Sequence, residues 1–185
     1  MFIKREGSVL IVLIVTLSIV LLVLLYLTTK QPENISAKIE IKEGLIYQKG
    51  ADIPFTGEIL DTLENKIIKY DVLEGMKTGE FCLLSIKGEY AVHGFLKNNK
   101  NVGPWKYYYS NGRLESQGNF KDDQPHGEWI WYFENGNIRT IGLYVDGKSE
   151  GTWRTFDESG RVTSVTKYKN GEVQSEVVVT KMSFS

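Results

Sequence analysis

Three stretches of this 185-residue chain copy one another at a fixed spacing of 24 residues. Gly103, Gly127 and Gly151 share one place in the copy, and Trp105, Trp129 and Trp153 the next but one. Gly112, Gly136 and Gly160 follow, then Leu114, Ile138 and Val162, then Phe120, Tyr144 and Tyr168. A period of this length implies that one small unit of structure is built again and again, each copy burying its apolar side on the next. That requirement outranks any local motif.

Each copy has the marks of a β-hairpin. Trp105, Tyr107 and Tyr109 alternate with Lys106 and Tyr108 in an aromatic run suited to a pleated strand. Asn111-Gly112 then offers two residues that tolerate positive φ, which predicts a tight type I′ turn. Asn135-Gly136 repeats it, and Ser159-Gly160 is its third version. Beyond the turn, alternation places Leu114, Ser116, Gly118 and Phe120 on one face, with Arg113, Glu115, Gln117 and Asn119 on the other. Lys121-Asp122-Asp123-Gln124-Pro125 and Val145-Asp146-Gly147-Lys148-Ser149 return the chain to the next copy. Gly118 and Gly142 fall mid-strand, where glycine ordinarily weakens a sheet. Their presence predicts that a neighbouring Trp ring lies against the backbone there.

The copies at 103–126, 127–150 and 151–172 are the clearest. A degenerate one covers 79–102, with Phe81 in the Trp place, Gly88 in the turn and Gly94 and Leu96 later on; an offset one runs from Gly57 to Gly79. Degenerate end copies are what an array needs to close its ends. Val173 and Val177-Val178-Val179 offer a last strand, and 180–185 form a tail. The repeat domain is therefore expected over 44–179.

Ahead of it, residues 1–8 are a short tail with Lys4 and Arg5, and Val9 to Leu27 is an unbroken apolar stretch. At about 1.5 Å per residue it covers about 28 Å, the thickness of a bilayer's hydrocarbon core. The run is long for a secretory signal, and Leu27-Thr28-Thr29-Lys30 lacks a small-x-small cleavage site, so 9–27 is expected to be an uncleaved transmembrane helix. A short charged tail stays inside more easily than a folded domain does, which places the C-terminal domain outside the cytoplasmic membrane. Residues 28–43 are polar and mixed and are expected to form a tether.

Net charge is −1, without a basic stripe, which argues against nucleic acid as a partner. Cys82 is the single cysteine, so no intrachain disulfide forms and no thiolate cage is expected. His93 and His126 are the only histidines, and neither has a second His or Cys at metal-binding sequence spacing; His126, before Gly127, is expected in a turn. Asp122, Asp123, Asp146 and Glu150 lack the dense alternating carboxylates of a calcium loop. No nucleophile elbow, phosphate loop or carboxylate pair is present. The sequence thus assigns no catalytic, cofactor-binding or metal-binding residue.

The pattern Gly-x-Trp-x-x-Tyr/Phe-x-x-x-Gly, with its Asn-Gly turns and following Gly-x-aromatic, resembles the MORN repeat. It is closest in form to the bacterial MORN-variant repeat of the YwqK-like antitoxin family, whose arrays open with a segment similar to Ile53-Pro54-Phe55-Thr56-Gly57. The resemblance covers about residues 44–172. It implies an all-β fold, an elongated antiparallel meander of stacked hairpins behind one N-terminal transmembrane helix. It also implies a protein-binding role, as the antitoxin or immunity partner of a toxin. The alternatives are a structural envelope scaffold tethering a complex, lipid or wall component, and an enzyme of unrecognised type. Trp105, Trp129, Trp153, Gly112, Gly136 and Gly160 are expected to be structural. Lys106, Tyr108 and Trp131, which vary more in type between copies, and Tyr132 beside them are the candidate partner-binding residues.

Overall fold

The computed structural model describes residues 38–179. The transmembrane expectation at 9–27 and the tail at 180–185 lie outside the described residues, and so does most of the tether. Among the described residues no helix is long and apolar enough to cross a membrane.

Eleven strands form one antiparallel sheet in strict chain order: β3 (Gly57–Leu63), β4 (Lys66–Leu73), β5 (Met76–Ser85), β6 (Tyr90–Lys97), β7 (Lys100–Tyr108), β8 (Leu114–Lys121), β9 (Gln124–Tyr132), β10 (Ile138–Val145), β11 (Lys148–Phe156), β12 (Val162–Lys169) and β13 (Glu172–Val178). The expected meander of hairpins is present. A separate hairpin, β1 (Ile39–Lys42) with β2 (Leu45–Gln48), precedes it. Ile39–Lys42, within the expected tether 28–43, is instead a strand, because Ile39 packs on the core cluster. Ile46 is buried with Ile59 and Val72, and its amide donates to the Gly75 carbonyl at 2.9 Å. This hairpin closes the N-terminal end of the array.

Two kinds of turn alternate, and they reverse the expected assignment. The Asn-Gly turns are three-residue loops. Tyr109 N–H donates to the Arg113 carbonyl at 2.8 Å and Gly112 N–H to the Tyr109 carbonyl at 2.9 Å. Of Ser110, Asn111 and Gly112, only Gly112 has positive φ, at 79°. That is a type I turn closed by a bulge glycine, with the Asn111 side chain accepting from Arg113 N–H at 2.9 Å. The type I′ geometry belongs to the return turns: Asp122 and Asp123 have φ of 49° and 68°, and Asp146 and Gly147 43° and 81°. His126 is accordingly on strand β9 and not in a turn.

The three-residue loop brings a bulge with it. Tyr107 pairs with Ser116, but Tyr108 pairs with Leu114, leaving Glu115 unmatched. The same slip occurs at Ala91, Arg139 and Thr163. Leu114, Ile138 and Val162 therefore sit opposite Tyr108, Tyr132 and Phe156, and do not continue the Ser116–Gly118–Phe120 face as strict alternation would have it.

A second irregularity positions the tryptophans. Between the pairs Gln117–Ile130 and Asn119–His126, three residues of β9 (Gly127, Glu128, Trp129) face the single Gly118 of β8. Gly127 makes this kink at φ 81°, as Gly103 and Gly151 do at 64° and 69°. The kink carries the indole across the preceding strand. A methyl group placed on Gly94, Gly118 or Gly142 would fall within the ring of Trp105, Trp129 or Trp153 respectively. The expectation that the mid-strand glycines make room for a Trp ring is met.

Candidate functional site

The two faces of the sheet have different chemistry. On one, the rings form a continuous ladder. Phe81 stacks on Trp105 at 5.5 Å, and Tyr107 stands between Trp105 and Trp129 at 6.3 and 6.4 Å. Trp131 stands between Trp129 and Trp153 at 5.7 and 5.6 Å. Phe120, Tyr144 and Tyr168 fill the flank edge-on, Tyr144 meeting Trp153 at 4.9 Å. Each indole N–H donates to the carbonyl after its glycine: Trp105 to Phe95 at 3.2 Å, Trp129 to Asn119 at 3.1 Å and Trp153 to Leu143 at 3.2 Å. Burial also pushes the Tyr70, Tyr107 and Tyr144 phenols up, so they stay neutral. This face is occupied by its own rings.

The structure divides the four candidate partner-binding residues between the faces. Trp131 holds the place that Tyr107 holds one copy earlier and belongs to the ladder. Lys106 and Tyr132 are on the opposite face: Lys106 pairs with His93 and Gln117, and the Gln117 amide donates to the Tyr132 hydroxyl at 2.8 Å. Tyr108 joins them, its ring 6.2 Å from that of Tyr90. A shallow depression beside the Asn-Gly turns is lined by Lys66, Glu89, Tyr90, Tyr108 and Tyr109. Trp105, Trp129 and Trp153 each occupy a glycine seat, while Gly112, Gly136 and Gly160 close the turns at φ 79°, 92° and 82°.

The turns are tied to one another across copies. Arg113 donates to the Glu134 carbonyl at 2.7 Å, and Asn137 to the Glu158 carbonyl at 2.7 Å. The Tyr109 hydroxyl donates to the Tyr132 carbonyl at 2.6 Å. On the other margin the Asp123 amide donates to the Asn101 carbonyl at 3.0 Å, and the Asp123 carboxylate accepts from the Asn101 amide at 2.7 Å. These bonds hold the half-exposed side chains of the open face in fixed register.

One cluster on that face was not legible from sequence spacing. Cys82 and His93 are direct cross-strand partners on β5 and β6, and Glu80 precedes Cys82 by two residues. Their donor atoms all lie within 4.8 Å of one another. The separation of eleven positions between Cys82 and His93 matches no helical or loop ligand spacing; only the hairpin register brings them together.

Comparison with protein families finds three matches to the MORN repeat variant, at residues 101–122, 125–146 and 149–170. The chain thus carries three consecutive MORN repeat variants, each covering one strand–turn–strand unit. Such repeats are commonly protein- or membrane-binding modules and are generally non-catalytic. Comparison with the curated proteins finds no match.

Proposed function

We propose that this chain is a non-catalytic protein-binding module, held at a membrane by the apolar run 9–27, with the face bearing Lys106, Tyr108 and Tyr132 as its recognition surface. One observation carries the reading. The rings of the ladder are engaged with each other and with backbone carbonyls, whereas Tyr90 on the opposite face is 44% exposed beside the depression that Tyr108 lines. Tyrosines held in place by a rigid sheet lose little conformational freedom on binding and supply both apolar area and a hydroxyl.

Within that class, the resemblance to the YwqK-like arrays favours an antitoxin or immunity protein. With a membrane-held, extracytoplasmic domain, the toxin it answers acts at or beyond the membrane. The test uses the full chain in membranes, with a photocrosslinking residue at position 108 or, as a control, at 144. Capture of one protein from 108 and not from 144, with loss of capture from 108 when Lys106→Ala/Tyr132→Ala is added, supports the binding surface. Capture from 144 alone would sink it. Rescue by co-expression with the captured partner then decides the antitoxin reading, and carbonate extraction of the full chain decides the anchor.

A further inference from the structure

We propose that Glu80, Cys82 and His93 form a binding site for a borderline divalent transition-metal ion, with Zn²⁺ as the best fit. The three side chains offer one carboxylate oxygen, one sulfur and one imidazole nitrogen, the mixed donor set that Zn²⁺ accepts with three protein ligands and an open fourth position. Glu80 Oε1 and His93 Nε2 are 2.8 Å apart, and all three donors lie within 4.8 Å. A tetrahedral ion with bonds of about 2.0–2.3 Å separates its donors by about 3.3–3.7 Å, so small side-chain rotations close the site. Glu80 and His93 keep 48% and 26% of their side-chain surface open, which gives an ion a way in, while Cys82 beneath them is 4% exposed.

A second observation is independent of this distance. In the next three copies the same positions hold Pro104, Lys106 and Gln117, then Glu128, Ile130 and Ile141, then Thr152, Arg154 and Val165. Only the copy at 79–102 carries three ligating side chains at once. It is also the copy in which Phe81 replaces Trp and faces Tyr70, where a seat glycine would stand. A metal clip ties β5 to β6 within that copy, whereas each indole ties its strand to the strand before it.

The neighbouring charges are compatible with an ion. Lys69, the cross-strand partner of Cys82, is paired with Glu58 at 3.0 Å, and Lys106, the partner of His93, is exposed.

The test is a Co²⁺ titration of the purified full chain in detergent under reducing conditions. The expected result is one equivalent bound, with a thiolate-to-cobalt charge-transfer band and the visible bands of a four-coordinate ion, both erased by stoichiometric Zn²⁺. Cys82→Ala should lose the charge-transfer band, and His93→Gln should weaken binding at least about 10-fold. His126→Asn should leave both unchanged. Absence of the thiolate band in the folded wild-type chain would overturn the proposal. So would equal affinity in His93→Gln, or loss of binding in His126→Asn.

Discussion

The indole of Trp129 lies over the backbone of Gly118, and its Nε1–H reaches the carbonyl of the next residue, Asn119, at 3.1 Å. One glycine leaves the space, and a second, Gly127 at φ 81°, bends β9 so that the ring enters it. Trp105 with Gly94 and Trp153 with Gly142 repeat the arrangement. Two glycines and a tryptophan are therefore one device, and it explains how a sheet that no second layer covers among the described residues excludes water: each strand's ring roofs its neighbour. Trp105 and Trp129 are each only 5% exposed.

Gly118→Ala should be far more costly than Gly112→Ala. The first places a methyl inside an aromatic ring and should destabilise by about 3 kcal/mol, the upper range for overpacking. The second meets open space and should cost only the left-handed strain of about 1 kcal/mol. Urea denaturation with an unchanged m-value checks the pair. Equal losses would mean that the seat has no special role.

Trp129→Ala should cost about 3–5 kcal/mol, as large aromatic truncations in cores do. In that background Gly118→Ala should become nearly silent, because the ring it would strike is gone. A double-mutant cycle should return a coupling of about 2–3 kcal/mol. Additive losses would contradict direct contact between the two.

Much of this was readable beforehand, because a strict period reports which residues share an environment. The seat glycines, the Trp series and the meander all follow from it. What periodicity does not report is register within a copy. Asn111-Gly112 invited a two-residue turn, yet the Asn111 side chain engages Arg113 N–H and the loop takes a third residue, Ser110. That one addition creates the bulge at Glu115 and moves Leu114 to the other face. Trp131 read as a free surface residue because its counterparts are Tyr107 and Thr155, although the place itself lies within the ladder. The Glu80–Cys82–His93 cluster depends on pairing between strands, which residue spacing along the chain does not encode.

Acid should loosen the third Asn-Gly-type turn selectively. Ser159 stands where Asn111 and Asn135 stand in earlier copies, and the Asp157 carboxylate takes over their work. It accepts from Ser159 Oγ at 2.6 Å, Ser159 N–H at 2.9 Å and Arg161 N–H at 3.0 Å. The Ser159 hydroxyl first, then the backbone amide of Arg161, hold its pKa below the ordinary 3.8. A depressed carboxylate stabilises the fold above its unfolded pKa, and that contribution is lost as pH falls through the lower folded value. The protection factor of the Arg161 amide, its exchange rate relative to that of an unstructured peptide at the same pH, should therefore fall below about pH 4 in the wild type. In Asp157→Ala it should be low at every pH, while Arg113 and Asn137 stay unaffected.

The array should be extendable at its C-terminal end by three substitutions together and by none of them singly. One period after Gly142, Gly151 and Trp153 stand Thr166, Ser175 and Val177. Thr166 fills the seat, and without a kinking glycine at 175 the strand stays in plain register there, so that Thr166 faces Glu176 and Val177 faces Val165. Val177 is left 61% exposed. Val177→Trp alone should leave an indole in water, and Thr166→Gly alone should cost about 1 kcal/mol through chain flexibility. With Ser175→Gly added to both, the ring can cross to position 166 and donate to the Lys167 carbonyl. The readout is a blue-shifted emission from the new tryptophan, taken as the triple variant minus Thr166→Gly/Ser175→Gly, with a raised denaturation midpoint. An unshifted spectrum in the triple variant would show that the two glycines are insufficient to seat the ring.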